Sequence, residues 1–211
     1  MSASPSNFRI VVLASGGGTN LQAILDQLHG SEGIEVVGVA SDKADAFALQ
    51  RAAAAKVPTG IFARDDWPDR KSRDLAMADW ISSLEADLVV LAGYMQLVSP
   101  EFVARFRGRI VNVHPALLPS FPGLDAIGQA IDHGARVTGV TVHFVDEGTD
   151  TGPVILQHAV EIPANWDVHE LELRVHEVEH RIYPQAIRMI AQGRVRIAPE
   201  NPRQVIIDSE A

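Results

Sequence analysis

An amide and an imidazole stand close together where a short apolar run ends. Residues 111–114 read VNVH, and the alternation of a strand places the valines on one face and Asn112 and His114 on the other. Pro115 cannot donate to a ladder, so we expect the strand to end there. The ends of strands are where open α/β sheets hold their ligands. Each side chain could still be structural, since strand-end residues of both types often cap turns or bond a carbonyl.

A carboxylate in a later turn is the third candidate for chemistry. Asp150 lies between Gly148 and Gly152, a setting in which aspartate often bonds only its own backbone. If this turn folds against the end of the 111–114 strand, an ionised Asp150 would favour the protonated form of His114. Spacing along the chain does not decide whether the two meet.

Together these side chains suit acyl transfer to an amine. No serine or cysteine stands in a setting that would activate it, so the substrate itself would supply the nucleophile. Asn112 would donate to the developing oxyanion, His114 would act as a cationic proton donor, and Asp150 would maintain the proton balance. This chemistry needs no metal.

The other histidines are interpreted as structural. His143 and His158 lie inside predicted strands, where a satisfied core or surface role is the usual one. His176 and His180 have the i, i+4 spacing of a metal-binding pair, but no third ligand accompanies them. We therefore predict that the protein has no metal site.

A glycine-rich turn after the first predicted strand is a candidate phosphate site. Residues 15–20 read SGGGTN and lead into a helical pattern. Glycines let the backbone turn tightly, and the amides at a helix start favour an anion. The turn lacks the lysine of a P-loop, and Leu21 stands where a dinucleotide fingerprint has its third glycine. We favour a monophosphate site, with a structural turn and a dinucleotide site using Asp42 as the alternatives.

Composition restricts the class of protein further. A chain of 211 residues with 46% hydrophobic and 21% charged residues is typical of one soluble globular domain. Its net charge of −9 gives no general attraction to nucleic acid or lipid, so we expect neither as a partner. The absence of cysteine excludes thiolate catalysis and disulfides. The polar start resembles no signal peptide or anchor, and we expect a cytoplasmic location.

Alternating strands and helices must position these residues. Repeated strand and helix patterns with short breaks predict an α/β fold with a Rossmann-like, doubly wound, mostly parallel sheet. Ser99 and Pro100 predict the start of a short helix before the 111–114 strand. Apolar runs predict strands at 8–14, 34–41, near 61 and at 87–93, and helical patterns cover 19–30, 44–56 and 69–86.

The second half of the chain has a different pattern. Two long apolar runs, 136–146 and 153–162, predict an antiparallel strand pair added to the parallel sheet. Residues 166–193 carry apolar side chains at helical spacing and predict a long C-terminal helix, bent at Pro184 if it runs through that residue. With no repeat or low-complexity linker, we predict a single domain over residues 1–211.

Several segments, in order along the chain, together resemble the folate-dependent formyltransferases over residues from about 8 to about 197. They are IVVLASGGGTNLQ, SDKADAFAL, LVVLAGYMQLVSP, VNVHPALLPSFPG, VTVHFVDEGTDTGPVI and EHRIYP. The resemblance implies transfer of the formyl group of 10-formyltetrahydrofolate, as co-substrate, to the amine of 5′-phosphoribosylglycinamide in purine biosynthesis. It also implies a phosphate-binding N-terminal half, about 8–106, and a folate-binding and catalytic C-terminal half, about 107–197.

The resemblance assigns roles residue by residue. The catalytic positions are Asn112, His114 and Asp150. The phosphate-binding positions are Gly17, Gly18, Thr19 and Asn20. The folate-binding positions are Arg70, Met95, Gln96, Leu97, Val98, Asp146, Glu147, Gly148 and Thr149. The positions that contact the glycinamide substrate are Glu179 and, as the weaker candidate, His176.

Two segments depart from the family pattern, and some alternatives stay open. Gln96 stands where some relatives carry arginine, so only its backbone contacts are transferred, and Asp125 and Ile127 stand where some relatives carry histidines, whose auxiliary role is not transferred. Members that formylate methionyl-tRNA or hydrolyse formyltetrahydrofolate share the Asn-His-Asp chemistry, but neither reaction needs the glycine loop. A regulatory module that binds a phosphate and performs no chemistry is a further alternative. The oligomeric state is also open, with a homodimer as one option.

Overall fold

The structure is a computed structural model that describes residues 7–209. In chain order its elements are β1 (Phe8–Leu13), α1 (Thr19–Leu28), β2 (Ile34–Ser41), α2 (Phe47–Ala54), β3 (Thr59–Ile61), a 3₁₀ turn (Arg64–Asp66), α3 (Arg70–Ser83), β4 (Leu88–Leu91), α4 (Pro100–Arg105), β5 (Ile110–His114), α5 (Ala126–Asp132), β6 (Val137–Phe144), β7 (Val154–Glu161), α6 (Val168–Ala191), β8 (Val195–Ala198) and β9 (Asn201–Ile207).

A seven-stranded sheet organises the chain in the order β3-β2-β1-β4-β5-β6-β7. The pairs β3–β2, β2–β1 and β1–β4 are parallel, whereas β6 and β7 are antiparallel. The start of this order is that of a Rossmann-like sheet. The predicted fold class, including the antiparallel pair and the long final helix, is therefore confirmed.

The chain divides into two compact units, with the boundary between Val111 and Asn112. In the first unit, Ile10, Val11, Val12 and Leu13 of β1 are all fully buried. Continuous burial without alternation is what a central parallel strand requires, because helices cover such sheets on both faces. The uninterrupted apolar run that predicted this strand reflects that position.

A buried ion pair anchors α3 in the first unit. Arg73 donates through Nε and Nη2 to Oδ1 of Asp74, at 2.9 and 2.8 Å. The other carboxylate oxygen accepts the Ser99 backbone N–H at 2.6 Å. Ser99 in turn caps α4, with its Oγ accepting the Phe102 N–H, and Pro100 is the first residue of that helix, as predicted. The pair thus ties α3 to the start of α4.

The second unit is built on the β6–β7 pair and on α6. The N-cap of α6 is Asp167, whose side chain accepts the Glu170 N–H, while the Glu170 side chain accepts the Asp167 N–H. This capping box satisfies donors that the helix would otherwise leave unpaired. The helix runs through Pro184 to Ala191.

Some elements differ from the sequence prediction. The second helix begins at Phe47 rather than at residue 44, and α5 and the β8–β9 hairpin were not predicted. Helix α5 has only seven residues and includes Gly128, so it offers too short a pattern for a periodic signal. Strand β9 begins with Asn201 and Pro202 and is largely exposed, so it lacks the apolar run that marks a buried strand.

Candidate active site

Strand β5 places Asn112 and His114 on the same side of the backbone. His114 is the last residue of the strand, which ends before Pro115 as predicted. The alternation of a strand separates these two polar side chains from Val111 and Val113, which are buried in the apolar core. The polar pair therefore results from strand periodicity together with the stop at proline.

Two acceptors flank the imidazole of His114. Its Nε2 lies 2.8 Å from the carbonyl oxygen of Phe121, and its Nδ1 lies 3.4 Å from a carboxylate oxygen of Asp150. A carbonyl only accepts, so Nε2 carries a proton. The carboxylate on the other side is an acceptor for Nδ1 when that nitrogen also carries a proton, so each ring nitrogen faces an acceptor.

The backbone of the 146–152 turn brings Asp150 to this position. Asp150 has φ of 54°, in the left-handed region that Asp and Asn tolerate better than most residues. Its Oδ2 accepts the Gly123 N–H at 2.8 Å. Burial opposes ionisation of this carboxyl, but the neighbouring His143, the Gly123 N–H and His114 outweigh it, so the pKa of Asp150 lies below its ordinary value.

His143 joins this cluster, although the sequence indicated only a satisfied core histidine. Its side chain is 2% exposed, and its Nδ1 lies 2.8 Å from the Phe144 carbonyl oxygen, so Nδ1 carries a proton. In the neutral ring Nε2 is then an acceptor, and it lies 3.3 Å from Nδ2 of Asn112. The same Nε2 lies 3.7 Å from Oδ1 of Asp150, which is an ion-pair distance rather than a hydrogen bond.

The second unit thus brings Asn112, His114, Asp150 and His143 into one cluster. It offers an amide donor, an imidazole between acceptors, and a carboxylate held ionised. Each of the first three comes from strand β5 or the turn after β6, and alternation predicted the first two. The sequence placed His143 in a strand but did not predict that it joins this cluster, because its role depends on which side chains lie next to its ring.

Other predicted positions of the second unit lie on its loop and its long helix. Asp146 organises the 146–149 segment, since its Oδ1 accepts the Gly148 N–H at 3.1 Å and the Thr151 hydroxyl at 2.6 Å. Glu147, Gly148 and Thr149 are exposed at the tip. On α6, Glu179 is buried and His176 is exposed, and the rings of His176 and His180 stack at 6.2 Å.

In the first unit, the glycine loop turns from β1 into α1. Gly18 is the N-cap of α1 with φ of 68°, where a side chain is strained. A Cβ at Gly18 would also lie 2.8 Å from the Cβ of Ala48 on α2. Glycine is required here by both the turn and the close approach of α2. Gly16, Gly17 and Thr19 are exposed, whereas Gly18 and Asn20 are half-buried.

The segment after β4 carries the remaining predicted positions. The Met95 N–H donates to Oγ of Ser15 at 2.8 Å, which ties this segment to the start of the glycine loop. Met95 and Leu97 are 60% and 61% exposed, an unusual state for large apolar side chains and one that suits packing against a flat ligand ring. Gln96 and Val98 are half-buried, and Arg70 is the exposed first residue of α3.

Residues 7–209 contain neither a metal-binding cluster nor a membrane-spanning helix. No three His, Cys, Asp or Glu side chains in this range are grouped so that they could hold a metal ion. No helix in the same range combines the length and apolar character needed to span a membrane.

Comparison with known proteins identifies the class. A family model described as Formyl transferase matches residues 8–187, so the chain belongs to the formyl transferase family. Phosphoribosylglycinamide formyltransferase of Haemophilus influenzae is 43% identical over 190 residues, which cover 90% of each chain. The Escherichia coli protein of the same name is 42% identical over 189 residues and 89% of each chain.

A solved structure extends the similarity to three dimensions. The crystal structure of glycinamide ribonucleotide transformylase 1 from Symbiobacterium toebii superposes with a TM-score of 0.92 at 46% identity. The match covers 99% of this chain and 98% of that chain. The resemblance found from sequence motifs is therefore confirmed at the level of family and fold.

Proposed function

We propose that this protein transfers the formyl group of 10-formyltetrahydrofolate to the amine of 5′-phosphoribosylglycinamide. The products are 5′-phosphoribosyl-N-formylglycinamide and tetrahydrofolate, and the reaction is a step of purine biosynthesis. The protein is a formyltransferase, and relatives that match it over about 90% of both chains carry the name of this activity. We propose that one domain performs the whole reaction.

The observation that carries the mechanism is the arrangement around His114. An imidazole between a carbonyl and a carboxylate is suited to hold positive charge beside a reacting acyl group. The substrate amine attacks the formyl carbon, and the carbonyl oxygen becomes an oxyanion. The Asn112 amide and the His114 imidazolium stabilise that oxyanion, because preorganised donors act strongly in a site that excludes water.

Two proton transfers complete the reaction. The attacking amine must lose a proton, which Asp150 accepts directly or through water. The folate nitrogen must gain a proton when its bond to the formyl carbon breaks, and His114 is the donor. The proton then passes from Asp150 to His114, whose Nδ1 lies 3.4 Å from the carboxylate, and this restores both side chains. The net change is an exchange of the formyl group and a proton between two nitrogens, so no external acid or base is consumed.

Three groups of residues are assigned to substrate binding. The glycine loop, with Gly17, Gly18, Thr19 and Asn20, binds the phosphate through backbone amides and the start of α1. Glu179, with His176 one turn earlier on α6, binds the phosphoribosylglycinamide. The folate is bound by Arg70, by the 95–98 segment with its exposed Met95 and Leu97, and by the 146–149 loop.

The proposal includes a cytoplasmic site of action. Its acceptor is a phosphate monoester, and a charged compound of this kind does not cross a bilayer unaided. The oligomeric state is a separate question, with a homodimer as one option. Light scattering of the purified protein distinguishes a homodimer from a monomer.

A two-substrate assay tests the function. Purified protein is mixed with 10-formyltetrahydrofolate and 5′-phosphoribosylglycinamide, and the release of tetrahydrofolate is followed by absorbance. We expect release only when both compounds are present and a large loss of rate in Asp150→Asn. Release without the acceptor would identify a hydrolase instead. Binding of the phosphorylated compound without turnover would identify a regulatory module.

A further inference from the structure

Helix α2 holds two successive carbonyl groups of the glycine loop. The carbonyl oxygen of Gly16 accepts the Ala48 N–H at 3.0 Å. The carbonyl oxygen of Gly17 accepts Nε of Arg51 at 2.8 Å. Both donors belong to α2, so two adjacent peptide groups of the loop are oriented by the same helix.

Peptide geometry converts these two contacts into a direction for the amides. In a trans peptide the C=O and the next N–H point in opposite directions. The cis peptide bond of residues 7–209 is Leu118–Pro119, so the peptide groups of the glycine loop are trans. With the Gly16 and Gly17 carbonyls turned toward α2, the N–H groups of Gly17 and Gly18 point away from it. Gly16 and Gly17 are exposed, so a ligand can reach this side of the loop.

The guanidinium of Arg51 is itself held in place. Its Nη1 donates to Oε1 of Gln22 on α1 at 2.9 Å, and its central carbon lies 4.9 Å from the ring centroid of Phe47. Gln22 in turn donates to Asp26 at 2.8 Å. Because these contacts hold the Arg51 guanidinium in one orientation, the side chain has little conformational entropy left to lose when a ligand binds.

Charge adds a second effect. The protein has a net charge of −9, so a phosphate monoester is repelled by the chain as a whole and needs a local cation. The glycine loop contains no lysine or arginine of its own. Arg51, bonded to the loop carbonyl, places a permanent positive charge against it.

We propose that Arg51 is a positioning residue of the phosphate site. It aims the Gly18 amide at the ligand by binding the Gly17 carbonyl, and it offsets the negative charge of a phosphate monoester. The inference rests on the proposed function, because that function makes the loop the cradle of the acceptor phosphate. It adds a residue outside the loop on which selectivity for the phosphorylated acceptor depends.

Two substitutions separate the contributions of Arg51. Arg51→Met keeps the aliphatic stem and removes both the charge and the donors. Arg51→Lys keeps the charge but loses the planar fork that binds the carbonyl and Gln22 together. Arg203→Met removes one charge from an exposed position on β9 and is the matched control. Circular dichroism and thermal unfolding establish that each variant is folded, and Arg51→Lys decides the test if Arg51→Met does not fold.

Kinetics provide the first measurement. We expect Arg51→Met to raise the KM for 5′-phosphoribosylglycinamide by about tenfold, the loss of one charge-assisted interaction. Arg51→Lys should show a smaller rise, and kcat and the KM for 10-formyltetrahydrofolate should stay near those of the Arg203→Met control. With the glycinamide riboside that lacks the phosphate, Arg51→Met should leave kcat/KM unchanged. An equal loss with the riboside would indicate a general structural role and overturn the proposal.

Calorimetric titration with inorganic phosphate provides a measurement independent of turnover. We expect the affinity for phosphate to fall by about tenfold in Arg51→Met and to be unchanged in Arg203→Met. Undiminished phosphate affinity in both Arg51 variants would overturn the proposal even if formyl transfer is intact. If formyl transfer is absent from the native protein, a loss of phosphate affinity in Arg51→Met still supports this role while the proposed function fails.

Discussion

The side-chain nitrogen of Asn112 lies 3.3 Å from Nε2 of His143, at a distance suited to a hydrogen bond. Since Nδ1 of His143 donates to the Phe144 carbonyl, Nε2 of the neutral ring can only accept. The neutral ring therefore pairs with the NH₂ group of Asn112, whereas the protonated ring is the state that lowers the pKa of Asp150. An asparagine amide has two N–H donors, so one is bound by His143 and the second is available for an oxyanion.

Replacing Asn112 tests the oxyanion role directly. Asn112→Ala should remove roughly 2.7–4 kcal/mol of transition-state stabilisation, by analogy with other oxyanion-hole donors, and leave both KM values nearly unchanged. Steady-state kinetics measure this loss. Asn165→Ala, at an exposed position before α6, is the matched control and should keep full activity. Normal turnover in Asn112→Ala would show that the amide has another role.

Removal of the His143 ring should act through Asn112. His143→Leu eliminates the Nε2 acceptor and should lower kcat by about tenfold, the value of one hydrogen bond, with little change in KM. If the effect passes through the amide, the double variant Asn112→Ala, His143→Leu should lose little more than Asn112→Ala alone. Fully additive losses in free energy would show that His143 acts independently of Asn112.

The ionisation of Asp150 predicts how stability depends on pH. Its pKa in the folded protein lies below the ordinary value of 3.8, so the unfolded state binds the proton more readily. The ionised group therefore stabilises the fold above pH 3.8, and this contribution is lost as the pH falls through the folded-state pKa. Asp150→Asn tolerates the same left-handed backbone and removes the charge.

Urea unfolding of the native protein and Asp150→Asn, from neutral to acidic pH, measures this contribution. We expect the difference in free energy of unfolding to be largest at neutral pH and to shrink below pH 3.8. A difference that stays constant across this range would contradict the depressed pKa.

The Arg73–Asp74 pair should contribute strongly to stability. Asp74 is fully buried and accepts from both Arg73 and the Ser99 N–H, so Asp74→Ala strands a buried charge and a buried amide. We expect a loss of about 3–5 kcal/mol in the free energy of unfolding. On the same helix, Asp79→Ala breaks the exposed pair with Arg105 and should cost no more than about 1 kcal/mol. Equal losses in the two variants would refute this difference.

The His176–His180 pair gives a prediction for NMR. Burial, and secondarily the charge of His176, hold the pKa of His180 below its ordinary value of 6.5. His176→Gln should raise the pKa of His180 while leaving it below 6.5, because burial is the larger cause. His176→Lys retains a positive charge and should keep the pKa low. Titration of the ring protons measures both, and identical midpoints in the two variants would exclude the electrostatic contribution.

The sequence by itself determined most of the strands and helices, and it determined which polar residues stand where they end. Strand β2 has the predicted bounds 34–41, and the Ser99 cap and the Pro100 start of α4 are as predicted. Alternation and the stop at Pro115 placed Asn112 and His114 together at a strand end. These features are local, since periodicity, caps and proline act within a few residues of chain. Family motifs then indicated the class, which the comparisons confirm.

Only the tertiary structure decided which side chains meet. The carboxylate of Asp150 reaches His114 because its turn adopts a left-handed residue and binds the Gly123 N–H. His143 contacts Asn112 because β6 carries it there, and Arg51 contacts Gly17 because α2 packs closely on the glycine loop. Such contacts join residues distant in sequence, and they depend on the packing of whole elements, which no local pattern encodes.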